Sequence, residues 1–205
     1  MIQTTPELIL ASCSPRRRSL LQLAGLRFAV IPAAVDEESV RLTVPAEYVQ
    51  TLALAKAEAV ARRYPLSWVI GADTIVVIDG LILGKPASDP IARQMLARLS
   101  GRPHLVYTGY AIVCQHQQVQ LADTVKTEVQ FKQLSSDEID WYIQTGEPVD
   151  KAGAYAIQGL GSLLIRRING SYTNVVGLPV CEVIESLIGL GVVSLKAEKT
   201  EGLTV

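Results

Sequence analysis

The sequence predicts an α/β protein built around a mixed β-sheet, and three observations predict it. Short apolar, β-rich runs alternate with helical runs along the chain, the pattern of helices crossing over between strands. Two strand pairs are joined directly by polar turns, at Asp79-Gly80 and at Gln115-His116-Gln117-Gln118, so the sheet carries hairpins as well as crossovers. The 205 residues are 49% hydrophobic and 19% charged, which suits one domain with a full core and no disordered bulk.

Each element follows from local signals. Residues 8–11 form the first strand, and Ser12-Cys13-Ser14-Pro15 leads into a helix over about 15–24, with Pro at the first helical position and Ser before it. Residues 28–32 form a second short strand. Pro45 begins a helix to Tyr64, in which Tyr48, Leu52, Ala55, Ala59 and Val60 recur near helical spacing. Residues 68–78 make one strand region ending at Asp79-Gly80, and 81–83 returns beside it. A helix over 89–99 is closed by Ser100-Gly101. Residues 105–115 and 119–134 are long strands.

Ser135-Ser136-Asp137-Glu138 starts a helix that Gly146 stops. Gly153, Gly159 and Gly161 punctuate a loop-rich stretch, 162–168 is a strand, and Asn169-Gly170 is a turn. Residues 174–190 read as the final long helix, with Pro179 awkwardly inside it. The polar residues 196–205 are expected to fray. The domain therefore spans 1–195, with 196–205 as a tail.

Composition excludes several function classes. A formal net charge of −1 argues against a nucleic-acid partner, so basic residues should act locally, at a site. Cys13, Cys114 and Cys181 are far apart with no CxxC spacing; a disulfide framework or structural zinc is not expected, and a reducing cytoplasm is. His104 and His116 are too few for histidine-rich metal ligation or a His-based triad. No signal peptide is visible, and the longest apolar stretch, 175–195, is interrupted by Pro179, Glu182 and Glu185. A soluble, cytoplasmic protein with no membrane association is expected.

The segments able to carry chemistry are few. Ser12-Cys13-Ser14-Pro15-Arg16-Arg17-Arg18 places hydroxyls and guanidinium groups at a helix N-terminus, which serves anion binding and simple capping equally well. Gly71-Ala72-Asp73-Thr74 interrupts an apolar strand with a carboxylate, costly to bury unless it is paired or bound to a metal; Asp73 either caps a bulge or works chemically, and function is favoured. Gly84-Lys85-Pro86 sets a lysine just after the returning strand. Asp36-Glu37-Glu38 reads as solvated, and Lys56, inside an apolar helix, as a snorkelling stem. Lys151 and Gln158 lie in a run of small residues from Asp150 to Gly161, where Gln158 could read a base edge. There is no GxxxxGK[ST] phosphate loop.

In order, these segments, together with Thr108-Gly109, Gly146-Glu147-Pro148, the Asp150–Tyr155 run and Ile168-Asn169-Gly170-Ser171-Tyr172, resemble the Maf family of nucleoside triphosphate pyrophosphatases, over roughly residues 8–190. The resemblance implies a two-lobed mixed-sheet fold like that of the inosine triphosphate pyrophosphatases, with the active-site cleft between the lobes. It implies hydrolysis of a nucleoside triphosphate to the monophosphate and pyrophosphate with Mg²⁺ or Mn²⁺. Asp73 would be the catalytic base, and Glu37 and Asp73 the metal ligands. Ser14, Arg16 or Arg17, Lys56, Lys85 and Lys151 would bind phosphates, with Arg17 favoured there and Arg16 helping to choose the base. Arg16, Thr74 and Gln158 fall at the subgroup-determining positions and look like the dTTP/UTP subgroup. The same chemistry on 7-methyl-GTP or another modified nucleotide is the alternative, as is a nucleotide-sensing regulator, since family members are associated with arrest of cell division. The resemblance also allows a homodimer, and gives Cys13 no catalytic role.

Overall fold

The computed structural model of the chain describes residues 2–4, 7–37, 40 and 44–195. Its centre is a seven-stranded mixed sheet in the order β3-β2-β4-β6-β7-β8, with β5 beside β4. The strands are β2 (Leu8–Leu10), β3 (Ala29–Val30), β4 (Trp68–Ile78), β5 (Leu81–Leu83), β6 (Pro103–Cys114), β7 (Val119–Phe131) and β8 (Ile165–Asn169). β1 (Ile2–Thr4) and β9 (Val193–Leu195) form a separate antiparallel pair at the two ends of the domain. Sequence reading missed that pair, because three-residue strands carry too little periodicity to be seen.

The helices are α1 (Pro15–Leu23), α2 (Pro45–Ala61), α3 (Asp89–Leu99), α4 (Ser136–Gln144), α5 (Tyr172–Val176) and α6 (Val180–Gly189). Local chemistry accounts for most of their ends. Pro opens α1 and α2, and Ser135 and Glu138 close a reciprocal capping box on α4. The single helix expected over 174–190 is two helices. Pro179 has no N–H to give to a continuing ladder and stands at the N-cap of α6, after α5 ends at Gly177. Residues 162–164 lie in a 3-10 turn over Gly159–Leu164 rather than in β8. The polar tail at 196–205 lies outside the described residues.

The geometry that matters most is along one edge of β4. Trp68–Ile70 pair in parallel with β2, and Val76–Ile78 pair antiparallel with β5. The β4–β5 turn follows from its residues: Asp79 and Gly80 both adopt positive φ, 53° and 74°, as a two-residue hairpin loop of Asp-Gly type requires. Between β2 and β5, residues 71–75 pair only on their other edge, with β6, among the described residues. The sheet is thus split at Asp73 and Thr74, beyond the carboxyl end of β2, where open α/β sheets bind ligands.

Side chains alternate across β4. On one face Val69 and Gly71 lie under α2, whose Ala53 and Ala57 share their cluster, and Ile75 and Val77 pack with Val49. On the other face two clusters form. Ile70 and Ala72 join α1 and α6 residues, whereas Val76 and Ile78 join α3, α4 and β7 residues. The gap between the two clusters on that face falls at Thr74 and its cross-strand partner Thr108, joined through their hydroxyls at 2.9 Å. The molecule therefore has two lobes that meet at Thr74. Among the described residues no helix is long and apolar enough to cross a membrane.

Candidate active site

A cleft of about 540 Å³ opens at the split in the sheet. Every residue to which the resemblance gives a task lines it: Ser14, Arg16, Arg17, Glu37, Lys56, Asp73, Thr74, Lys85, Lys151 and Gln158. Three segments build its walls.

The first wall is the turn from β2 into α1. Ser14 is the N-cap of α1, its Oγ accepting from the Arg17 N–H at 3.4 Å, and its own N–H donates to Ser12 Oγ at 3.2 Å. Capping and lining the cleft are thus done by one residue. Arg17 reaches back across the chain. Its Nε donates to the Gly177 carbonyl at 2.8 Å, one terminal nitrogen donates to Thr74 Oγ1 at 3.0 Å and the other to Ser12 Oγ at 3.3 Å. Three of the five N–H donors of a guanidinium are used there, and among the described residues the other two have no partner. Burial pulls its pKa below the ordinary value, opposed by the charge of Asp73. Arg16 instead pairs with Asp150 at 3.5 Å.

The second wall is β4 with α2 above it. Glycines at 71 and 109 let the helix backbone rest on the sheet. A Cβ at Gly71 would come within 2.2 Å of the Ala53 carbonyl oxygen, and one at Gly109 within 2.3 Å of the Val49 carbonyl oxygen. This close approach sets the Lys56 ammonium 2.7 Å from Asp73 Oδ1 and 2.7 Å from Glu37 Oε1. Lys56 and Asp73 are nearly buried, with side chains 13% and 12% exposed, so the cation offsets charge that would otherwise be costly. Burial alone would raise the Glu37 pKa. The hydrogen bond and charge of Lys56, with Lys85 beyond, hold it below the ordinary value instead.

The third wall combines the Lys85 loop and the run from 147 to 161. Gly153 N–H donates to the Gly84 carbonyl at 3.0 Å, tying the two together. The Lys85 ammonium is exposed and makes no hydrogen bond or ion pair among the described residues. Lys151 donates to the Glu147 carbonyl at 2.7 Å and pairs with Asp150. Gln158 is half-buried in the cleft, and its amide is bonded to nothing in the chain among the described residues.

Two residues were missed from the sequence. Tyr48 lines the cleft, and its phenol pKa is raised by burial and then by the charges of Asp73 and Glu37. The signal was there in the stripe Tyr48, Leu52, Lys56, spaced four apart on α2, all three of which line the cleft. Asp150, partner of both Arg16 and Lys151, stood in one of the motifs of the resemblance but was given no task, since an acid beside a lysine usually faces solvent. Asp36 does not line the cleft, and Glu38 lies outside the described residues.

A divalent cation suits this donor set. Among the described residues no three His, Cys, Asp or Glu side chains cluster as a metal cage. Asp73 and Glu37 nevertheless aim oxygens at one point, each 2.7 Å from the same ammonium. Two carboxylates, with substrate phosphates and water completing the shell, are how Mg²⁺ is ordinarily held, and all-oxygen ligation also suits Mn²⁺.

The family described as Maf-like protein matches residues 7–190. A protein named dTTP/UTP pyrophosphatase from Syntrophus aciditrophicus (strain SB) is 49% identical over 195 residues, covering 95% of each chain. Another of that name from Symbiobacterium thermophilum is 52% identical over 185 residues, covering 90% of this chain and 94% of the relative. Among solved structures, the Ham1 protein of Staphylococcus aureus overlaps with a TM-score of 0.43 at 14% identity, over 61% of this chain and 71% of that one.

Proposed function

This chain belongs to the Maf-like protein family, and on that premise we propose that it hydrolyses nucleoside triphosphates, dTTP and UTP above others, to the monophosphate and pyrophosphate. The observation that carries the reading is the convergence of Asp73 and Glu37 on one cation position at the unpaired edge of β4. Lys85, Lys151 and Arg16 stand around the same cleft.

Each residue then has a defined task. Asp73 and Glu37 would hold a divalent cation, which would supply charge neutralisation on the phosphates and a more acidic water. Asp73 orients a water and accepts its proton as the water oxygen bonds to the α-phosphorus. The bond from that phosphorus to the bridging oxygen breaks, and pyrophosphate leaves with the bonding pair. Lys56, Lys85, Lys151 and the open donors of Arg17 offset the charge spread over the phosphoryl oxygens. At the N-terminus of α1, Pro15 has no N–H and those of Arg17 and Arg18 are taken by Ser14, so the Arg16 N–H is the backbone donor left there for the same anion. No covalent enzyme intermediate is required, and Cys13, exposed beside Ser14, takes no part.

Base choice falls to Gln158, Thr74 and Arg16. A side-chain amide offers one donor and one acceptor side by side, matching the N3–H and adjacent carbonyl shared by uracil and thymine. Thr74 is held in a fixed rotamer by Thr108 and Arg17, so it defines one side of the base or sugar pocket.

The test is pyrophosphate release from a panel of canonical and modified triphosphates, 7-methyl-GTP included, with Mg²⁺ and with Mn²⁺. UTP and dTTP should lead the panel. Asp73→Asn should lower kcat by about 10²–10⁴-fold, the usual worth of a general base. Release of orthophosphate in place of pyrophosphate would overturn the bond assignment, and tight UTP binding without turnover would favour a nucleotide sensor.

A further inference from the structure

Among the described residues, Glu147 accepts four hydrogen bonds near the cleft, and the proposed chemistry leaves it unemployed. Its Oε1 accepts from the Tyr142 hydroxyl at 2.9 Å and from the Gly161 N–H at 3.0 Å, and its Oε2 accepts from the Leu160 N–H at 3.0 Å. Its backbone carbonyl accepts from the Lys151 ammonium at 2.7 Å. The Tyr142 oxygen also accepts from the Ala156 N–H at 3.2 Å. The residues on either side of Gln158 are therefore pinned, Ala156 through Tyr142 and Leu160 with Gly161 through Glu147, while Gln158 itself is left free to face the cleft.

The backbone is shaped to this arrangement. Gly159 has φ of +74°, and a Cβ there would lie 2.8 Å from Glu147 Oε2. A Cβ at Gly161 would lie 2.6 Å from the Tyr142 hydroxyl and 2.2 Å from the Ala156 carbonyl oxygen. Both glycines let the chain wrap around one carboxylate, which is the acceptor of two consecutive backbone N–H groups and a phenol. Tyr142 is fully buried in the core of its lobe, so the carboxylate and the loop are anchored to a rigid element.

We infer that Glu147 is a positioning residue: with Tyr142 it holds the 156–161 loop in the one conformation that aims Gln158 at the bound nucleotide. The inference rests on the nucleotide reading of the cleft for its consequence, but not for its geometry. The variant Glu147→Gln keeps the size of the side chain and replaces one acceptor oxygen with an NH₂ that opposes the loop's N–H donors. Tyr142→Phe is the milder partner, removing only the bridging hydroxyl.

Hydrogen exchange and steady-state kinetics read the effect together. In Glu147→Gln the Leu160 and Gly161 amides should exchange about tenfold faster or more, the loss of a charge-assisted bond each, while the Ile70 amide in β4 stays protected. KM for UTP should rise about tenfold with kcat within about threefold, and preference for UTP over GTP should narrow, as expected when binding contacts are loosened and the reacting centre is untouched. Tyr142→Phe should show the same directions at smaller size, with Ala156 the amide affected. Unchanged exchange at Leu160 and Gly161, or unchanged KM with a fall in kcat, overturns the inference. If the wild type released no pyrophosphate from UTP, the reading of the cleft would fail, and the exchange rates would still decide whether Glu147 holds the loop.

Discussion

Arg17 and Lys56 show how a cation on this molecule can serve structure and chemistry at once. Arg17 joins three separate segments, through Ser12, Thr74 and Gly177. Arg17→Lys keeps the charge but cannot reproduce the planar fork, so it should cost about 1.5–3 kcal/mol in urea denaturation. Loss of less than about 0.5 kcal/mol would show that the three bonds are dispensable. Lys56 lies between two carboxylates, and Lys56→Met leaves both unpaired. Without divalent metal that variant should lose about 2–3 kcal/mol of stability, and saturating Mg²⁺ should restore more stability to it than it adds to the wild type. Equal Mg²⁺ effects on both proteins would separate Lys56 from the cation position.

Among elements, the contact of α2 with the sheet decides whether the site forms. Gly71→Ala drives a methyl group into the Ala53 carbonyl, 2.2 Å away, and the helix must lift. Overpacking of this kind costs about 1–3 kcal/mol. Lifting α2 also withdraws Lys56 from Asp73, so activity should fall further than stability does. Gly189 in α6 meets nothing within 4 Å, so Gly189→Ala should leave the thermal midpoint unchanged or slightly raised. A comparable loss in both variants would mean that close packing at Gly71 is not the cause. Helix starts were legible because Pro15, Pro45 and the Ser135–Glu138 box act within one turn of chain. The break between α5 and α6 was only half legible: Pro179 marked a fault, but a proline can kink a helix or end it, and packing of α5 and α6 in one cluster with α1 chose the ending.

The whole molecule has a net charge of −1 yet gathers Arg16, Arg17, Lys56, Lys85 and Lys151 in one cleft. That local field should steer a polyanion, so raising KCl from about 0.05 to about 0.5 M should raise KM for UTP severalfold with little change in kcat. A salt-independent KM would argue against the cleft cations as phosphate contacts. Stability should also depend on pH through the lobe that holds α3 and α4. His104 is 2% exposed, bonded to the Tyr155 hydroxyl at 2.7 Å, and packed edge-on against Phe131 and Tyr155. Burial lowers its pKa from the ordinary 6.5 to about 4. Between those values the unfolded chain binds the proton and the folded one does not. Its stability contribution is therefore complete above pH 6.5 and lost as pH falls toward 4, on the order of 3 kcal/mol in all. His104→Gln should flatten that part of the urea-midpoint profile.

The sequence by itself determined the α/β class, the hairpins, the helix starts and the inventory of charged groups. These rest on periodicity, turn chemistry and capping, which act over a few neighbouring residues. It also marked Asp73 and the Ser14–Arg17 turn as able to carry chemistry, while Glu37 and Lys56, which local reading left as solvated and snorkelling, came to the cleft only through the family resemblance. Only the tertiary structure decided what each of them does with its polar atoms. Arg17 and Gly177 are 160 positions apart, and Lys56 meets Asp73 only because two glycines bring α2 down onto β4. The gap in the edge of β4, the pairing of Arg16 with Asp150, and the loop wrapped around Glu147 are set by sheet register and packing. Those are long-range constraints, which no local spacing in a single chain encodes.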